Sequence, residues 1–165
     1  NYVLAALLRQ PDLLVRIDRG LRESGAGPLS SQDFKGSEFQ SLFAQLQRSL
    51  YQAEMAPDEF MRNKIEPGLE ECWEVLWQQG ETLKVEDERR SQDVINAAVR
   101  LRRRNLGDWL QELRFLENAA REQGELEQAQ SYQELTVQYT RALRGLQLLL
   151  WQHAGLKQAD GSVRT

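Results

Sequence analysis

Between Val85 and Glu122 the chain contains no proline and a single glycine, Gly107. The apolar residues Val94, Ala98, Leu101, Leu106, Trp109, Leu113, Leu116 and Ala120 recur there at spacings of three to five. That is the helical period, and a strand would alternate instead. After Gln123-Gly124 a second stripe runs through Leu126, Ala129, Tyr132, Leu135, Tyr139, Leu143, Leu146 and Leu150. Two long periodic segments around a glycine turn predict an αα-hairpin. Unbroken, the first helix would be ~55 Å long at about 1.5 Å per residue. Its weak point is Asn105-Leu106-Gly107-Asp108. Glycine costs a helix about 1 kcal/mol relative to alanine, and Asp108 with Gln111 has the spacing of a fresh helix cap. A kink or hinge is therefore expected at Gly107.

The rest of the chain is also helical in pattern. Leucine occurs 26 times against eight valines and three isoleucines; leucine suits helices, whereas β-branched residues favour strands. The fold class expected is all-α: a compact helical bundle followed by a long helix and a C-terminal two-helix hairpin. Tyr2 to Arg9 reads as a short apolar helix that Pro11 ends by restricting Gln10. Pro11 and Asp12 suit the first turn of the next helix, whose apolar face is Leu13, Leu14, Ile17 and Leu21. Residues 24–28 (SGAGP) form a loop. Ser30 to Phe34 predicts a turn that inserts Phe34. Ser37 with Gln40 predicts a capping box for a helix to about Gln52, with a stripe of Phe39, Leu42, Phe43, Leu46 and Leu50. Pro57 and Pro67 each mark a helix start, and Gly80 a helix end. The second of these helices carries Trp73 and Trp77 on one face, expected in the core. The tail after His153 is expected to fray. Residues 1–100 are assigned to the bundle and 101–165 to the long-helix continuation and hairpin, whose arms span about 106–152.

With 41 % hydrophobic residues the chain can build a core, and with a net charge of −4 it does not read as a general phosphate binder. Cys72 and His153 are the only residues of their kinds. A disulfide framework or a Cys/His zinc site is thereby excluded. No apolar stretch reaches the length of a membrane span and no secretory signal opens the chain; Asn1 followed at once by an apolar run is expected of a piece of a longer protein. Phosphate-loop, nucleophile-elbow and metalloprotease motifs are missing, so no catalytic, cofactor-binding or metal-binding residue is nominated. Glu70-Glu71 and Glu86-Asp87-Glu88 read as solvated helix surface. His153 reads as a partner of a helix C-terminus or as merely exposed. Arg100, Arg102, Arg103 and Arg104 form the one basic cluster. Arg100, Arg103 and Arg104 are candidates to meet an acidic partner or a phosphate backbone; the alternative is a solvated turn with stems lying over apolar neighbours. Trp109 and Trp151, on opposite arms, pack together, pack on the bundle, or dock a partner.

Two stretches carry a family resemblance. Leu4-Ala5-Ala6-Leu7-Leu8 followed by Gln10-Pro11-Asp12-Leu13-Leu14, and Asp33-Phe34 followed by Glu38-Phe39-Gln40-Ser41-Leu42-Phe43, resemble segments shared by bacterial primase helicase-binding regions and the N-terminal domains of DnaB-type helicases. The stretch from Ser91 to Leu113, then Glu122-Gln123-Gly124-Glu125 and the helix through Tyr132 and Leu143, is similar to the DnaG-type primase pattern. The resemblance implies a non-catalytic domain that docks on the N-terminal domains of the replicative helicase, recruits primase to the replication fork in the cytoplasm, and modulates the helicase. Zinc and magnesium would then belong to other domains of the parent, with no cofactor here. On the resemblance the contact candidates are Arg121, Gln123, Glu125, Tyr132, Tyr139 and Arg141, with Gly107 as hinge, no membrane, little or no nucleic-acid binding, and a monomer in isolation. Two alternatives stay open. A helicase N-terminal domain would self-associate without a partner, and a helical nucleic-acid adapter would bind single-stranded DNA in a salt-sensitive way.

Overall fold

A computed structural model describes residues 1–83 and 87–161, with 155–161 described by backbone alone. Val85 and Glu86, where the sequence places the start of the long helix and of an acidic run, lie outside the described residues, as do 162–165. Within them the fold is all-helical: α1 Tyr2–Arg9, α2 Leu13–Glu23, a 3-10 turn Ser31–Asp33, α3 Ser37–Tyr51, α4 Pro57–Lys64, α5 Glu70–Glu81, α6 Glu88–Glu122 and α7 Leu126–Gly161. None of the described helices is long and apolar enough to cross a membrane. The chain divides into two compact units, the first Asn1–Asp18 with Leu29–Ala98, the second Arg19–Pro28 with the chain from Val99 onward. Residues 19–28 thus join the second unit, where the sequence reading kept 1–100 together.

In the first unit α1 is buried along its whole length from Val3 to Leu8. A helix apolar on every side belongs at the centre of a fold. Gln10, at φ −136°, ψ 79°, ends it, because the proline that follows disfavours the helical region there. Pro11 and Asp12 form a turn whose carbonyls accept the N–H groups of Leu14 (3.0 Å) and Val15 (3.2 Å), so α2 begins after them rather than at Pro11. Leu13, Leu14 and Ile17 are buried, each contributing about 1.5–3 kcal/mol by its removal from water. The Ser30 N–H donates to the Asp33 carboxylate at 2.8 Å. That turn delivers Phe34, whose ring lies 4.9 Å from that of Phe43.

Several predicted helix ends are corrected. Ser37 is the first residue of α3 and not its cap. Gly36 caps it at φ +104°, a left-handed conformation that a serine would adopt only with strain. Gln40 turns away from a capping box and donates to the Phe34 carbonyl at 3.0 Å. Pro57 does open α4, but Pro67 does not open α5. It lies in a turn closed by the Leu69 N–H on the Glu66 carbonyl at 3.0 Å. Gly80 does not end α5: it sits inside the helix, where a side chain would strike the Ala5 carbonyl of α1. Trp73 and Trp77 stack at 5.3 Å and are half-buried. The Arg9 guanidinium stands 4.3 Å from the Trp77 ring and that of Arg62 5.1 Å, so the pair lies at the margin of the core.

The long helix α6 is α-helical through Asn105-Leu106-Gly107-Asp108, and no new helix starts at Asp108. Leu106, Leu110 and Leu113 are all buried around that point. Their burial far outweighs the ~1 kcal/mol that one glycine costs. Its 35 residues span ~52 Å. α7 likewise continues past His153 to Gly161, so His153 is interior to the helix and the backbone up to Gly161 is helical. Glutamine, alanine and lysine past His153 are good helix formers, and no proline interrupts them.

Candidate docking surface

The second unit holds the hairpin. At the end of α6 the Glu125 N–H bonds to the Ala120 carbonyl (2.8 Å) and the Gly124 N–H to that of Arg121 (3.1 Å). With Gly124 at φ +78°, this is a Schellman stop. The same pair of bonds ends α2, from Ala26 to Leu21 and from Gly25 to Arg22, each at 2.9 Å. Leu106, Leu110, Leu113 and Ala120 of α6 and Ala129, Ala142 and Leu146 of α7 are buried. Trp109 of α6 meets Tyr139 of α7 at 6.0 Å, tilted by 46°. Gly145 faces the Ser24 carbonyl so closely that a side chain there would collide with it, which seats the 19–28 segment against α7.

The arginine cluster splits in two. Arg102 is buried, donates to the Pro28 carbonyl and stands 5.9 Å from the Trp109 ring. Arg100, Arg103 and Arg104 are exposed at the i, i+3, i+4 spacing that shares a helix face. Of the contact candidates, Arg121, Gln123, Glu125 and Arg141 are exposed, while Tyr132 and Tyr139 are half-buried. Arg121 pairs with Glu117 at 2.5 Å. Tyr139 is committed to Trp109, and Trp151 does not pair with Trp109 but stands 63 % exposed.

What the sequence reading missed is a row on the outer face of α7. Leu126, Val137, Leu148 and Trp151 are 72, 45, 55 and 63 % exposed. The first three are eleven residues apart, a step that drifts only about 20° from three full turns. The sequence pattern places Leu126 in the inward stripe, yet it faces out. Gln130 and Gln133, both exposed, lie between the first two members, and Arg141 and Arg144 between the next two. A cavity of about 380 Å³ opens at the Leu126 end, lined by Arg121, Leu126, Ala129, Gln130 and Gln133. On α6, Phe115 is 73 % exposed as well. The signal was present as the eleven-residue spacing, but it competes in the sequence with the inward stripe.

The other clusters are accounted for locally. Asp87 accepts the Arg89 N–H at 2.8 Å and begins α6. Glu88 pairs with Arg16 at 2.6 Å, and that hydrogen bond, with the guanidinium charge, holds its carboxyl below the ordinary value. Glu70 accepts the Gly68 N–H at 2.6 Å. Among the described residues, no three His, Cys, Asp or Glu side chains are grouped to hold a metal ion. Cys72 lines a shallow cavity of about 340 Å³ with Glu38, Glu71 and Leu76. Burial, then the Glu38 carboxylate, raises its thiol above the ordinary value. Burial lowers the His153 imidazole. No protein-family model, curated protein or solved structure matches the chain.

Proposed function

We propose that this chain is a non-catalytic protein-docking domain of the kind its sequence resembles, the helicase-binding region of bacterial DnaG-type primases. In this reading it attaches primase to the N-terminal domains of the replicative helicase. The observation that supports docking is the set of large apolar side chains left exposed on the hairpin: Phe115, Leu126, Val137, Leu148 and Trp151. Exposed apolar groups gathered on the two arms of one hairpin, four of them on α7 and Phe115 on α6, and bordered by charge, are characteristic of protein-binding surfaces. Arg100, Arg103 and Arg104 on one exposed face of α6 add a positive field that would steer an acidic partner. The partner's identity rests on the resemblance.

The test is a calorimetric titration of the chain against the N-terminal domain of the replicative helicase from the same organism. Saturable binding is expected, lost when residues 106–165 are removed. Absence of binding by the whole chain rejects the partner; binding unchanged by the truncation rejects the hairpin as the contact.

A further inference from the structure

We infer that the outer face of α7 pairs with the same face of a second copy of this chain, antiparallel, about a two-fold axis at Val137. This goes beyond the docking reading and replaces the monomer expected from the sequence. It covers the same α7 row, Leu126, Val137, Leu148 and Trp151, that supports docking, so a second copy and a helicase domain would compete for that face. The row is symmetric about its own midpoint. Leu126 and Leu148 lie eleven residues to either side of Val137, about 16 Å along the axis. An antiparallel copy centred there sets Leu126 against Leu148 twice and Val137 against itself, the self-complementarity that an isologous interface requires.

The charges fit that direction and no other. Between Leu126 and Val137 the charged residues of α7 are Glu127 and Glu134; between Val137 and Leu148 they are Arg141 and Arg144. Glu134 and Arg141 flank the row on the same side, three and four residues from the axis. The two-fold therefore places each glutamate opposite the other copy's Arg141. A parallel pairing would instead set like charges level with one another.

The ends fit as well. A helical side chain covers the surface about a turn toward its own N-terminus. Trp151, fourteen residues beyond the axis, then reaches the level of the other copy's Leu126. That is where the cavity lined by Arg121, Leu126, Ala129, Gln130 and Gln133 lies. Its volume of about 380 Å³ has room for an indole, and Arg121 in its wall offers a cation to the ring.

Sedimentation equilibrium of the purified chain over a wide concentration range should show a monomer–dimer equilibrium. Glu134→Arg and Arg141→Glu should each weaken it roughly tenfold, since each turns two attractions into repulsions, and the double variant should restore it. Position is read by cross-linking in a Cys72→Ser background. Val137→Cys should form a disulfide-linked dimer with oxidised glutathione, and Val15→Cys, 58 % exposed on the first unit, should not. A chain that stays monomeric throughout, a double variant that stays weak, or equal cross-linking at the two positions overturns the proposal. Any of these leaves the helicase titration to be decided on its own.

Discussion

A Cβ placed on Gly80 would fall 2.5 Å from the carbonyl oxygen of Ala5. The helices α1 and α5 therefore meet backbone against backbone, and the absence of a side chain at residue 80 sets their separation. The Cγ of Arg9 lies equally close, at 2.5 Å, and that side chain is held over the Trp77 ring. Gly80→Ala should force the two helices apart and destabilise the fold by about 1–3 kcal/mol, despite alanine's better helix propensity. Urea denaturation measures it; a midpoint at or above that of the parent removes the close-approach account.

Gly107 makes the opposite prediction. It lies within the continuous helix α6, and a Cβ there meets nothing within 4 Å. Gly107→Ala should therefore stabilise the chain by about 1 kcal/mol, the intrinsic difference between the two residues in a helix. A loss of stability would show that residue 107 needs a conformation that alanine resists, which is the hinge that the sequence suggests.

These two glycines show where the sequence was legible and where it was not. Apolar periodicity located the seven helices of the described residues, because a buried stripe leaves the same spacing whatever it packs against: Leu13, Leu14, Ile17 and Leu21 are as buried as their spacing requires. Glycine was ambiguous, because a stop, a left-handed turn and a close approach all select it. Gly124 is a stop, Gly36 a left-handed cap and Gly80 a close approach, and only the neighbours in space distinguish them. The α7 row was hidden for a different reason. Leu126, Val137 and Leu148 sit among inward-facing leucines, so the helix carries apolar groups on two faces and its periodicity blurs. The single-sided stripe read from the sequence took Leu126 for the inside. Trp109 likewise gave no hint that its ring partner is Tyr139 rather than Trp151.

That ring contact can be measured. Trp109 and Tyr139 join α6 to α7 at 6.0 Å, and tilted aromatic pairs contribute about 0.5–1.5 kcal/mol beyond their buried area. A double-mutant cycle with Trp109→Leu and Tyr139→Leu should return a coupling energy in that range by urea denaturation. Additive effects of the two changes would mean that each ring is held by other neighbours.

The Gly124 turn should tolerate substitution poorly. Its φ of +78° costs an L-residue roughly 1–2 kcal/mol, and nothing lies within 4 Å of the position a Cβ would take. Gly124→Ala should be destabilising through the backbone alone, and Gly124→Asn, which tolerates that region better, should recover part of the loss. Equal stability of the alanine and asparagine variants would contradict a conformational origin.

The Arg16–Glu88 pair gives a pH dependence whose sign follows from its geometry. Arg16 donates to both carboxylate oxygens of Glu88, at 3.2 and 2.6 Å. The hydrogen bond and the guanidinium charge lower the folded-state carboxyl pKa below its ordinary value. A depressed carboxyl contributes stability above its unfolded pKa and loses that contribution as pH falls through the folded pKa. The window therefore lies on the acid side of the ordinary glutamate range, and neutral pH is unaffected. Because Glu88 is exposed, solvent and salt screen the pair and the change in stability will be small. The sharper reading is the titration itself, followed through the side-chain carboxyl carbon by NMR. Arg16→Met should move the Glu88 midpoint upward toward the ordinary value, and added salt should move the parent in the same direction. If Arg16→Met leaves the midpoint in place, the guanidinium does not set it, and the contact between the start of α6 and α2 has no electrostatic part.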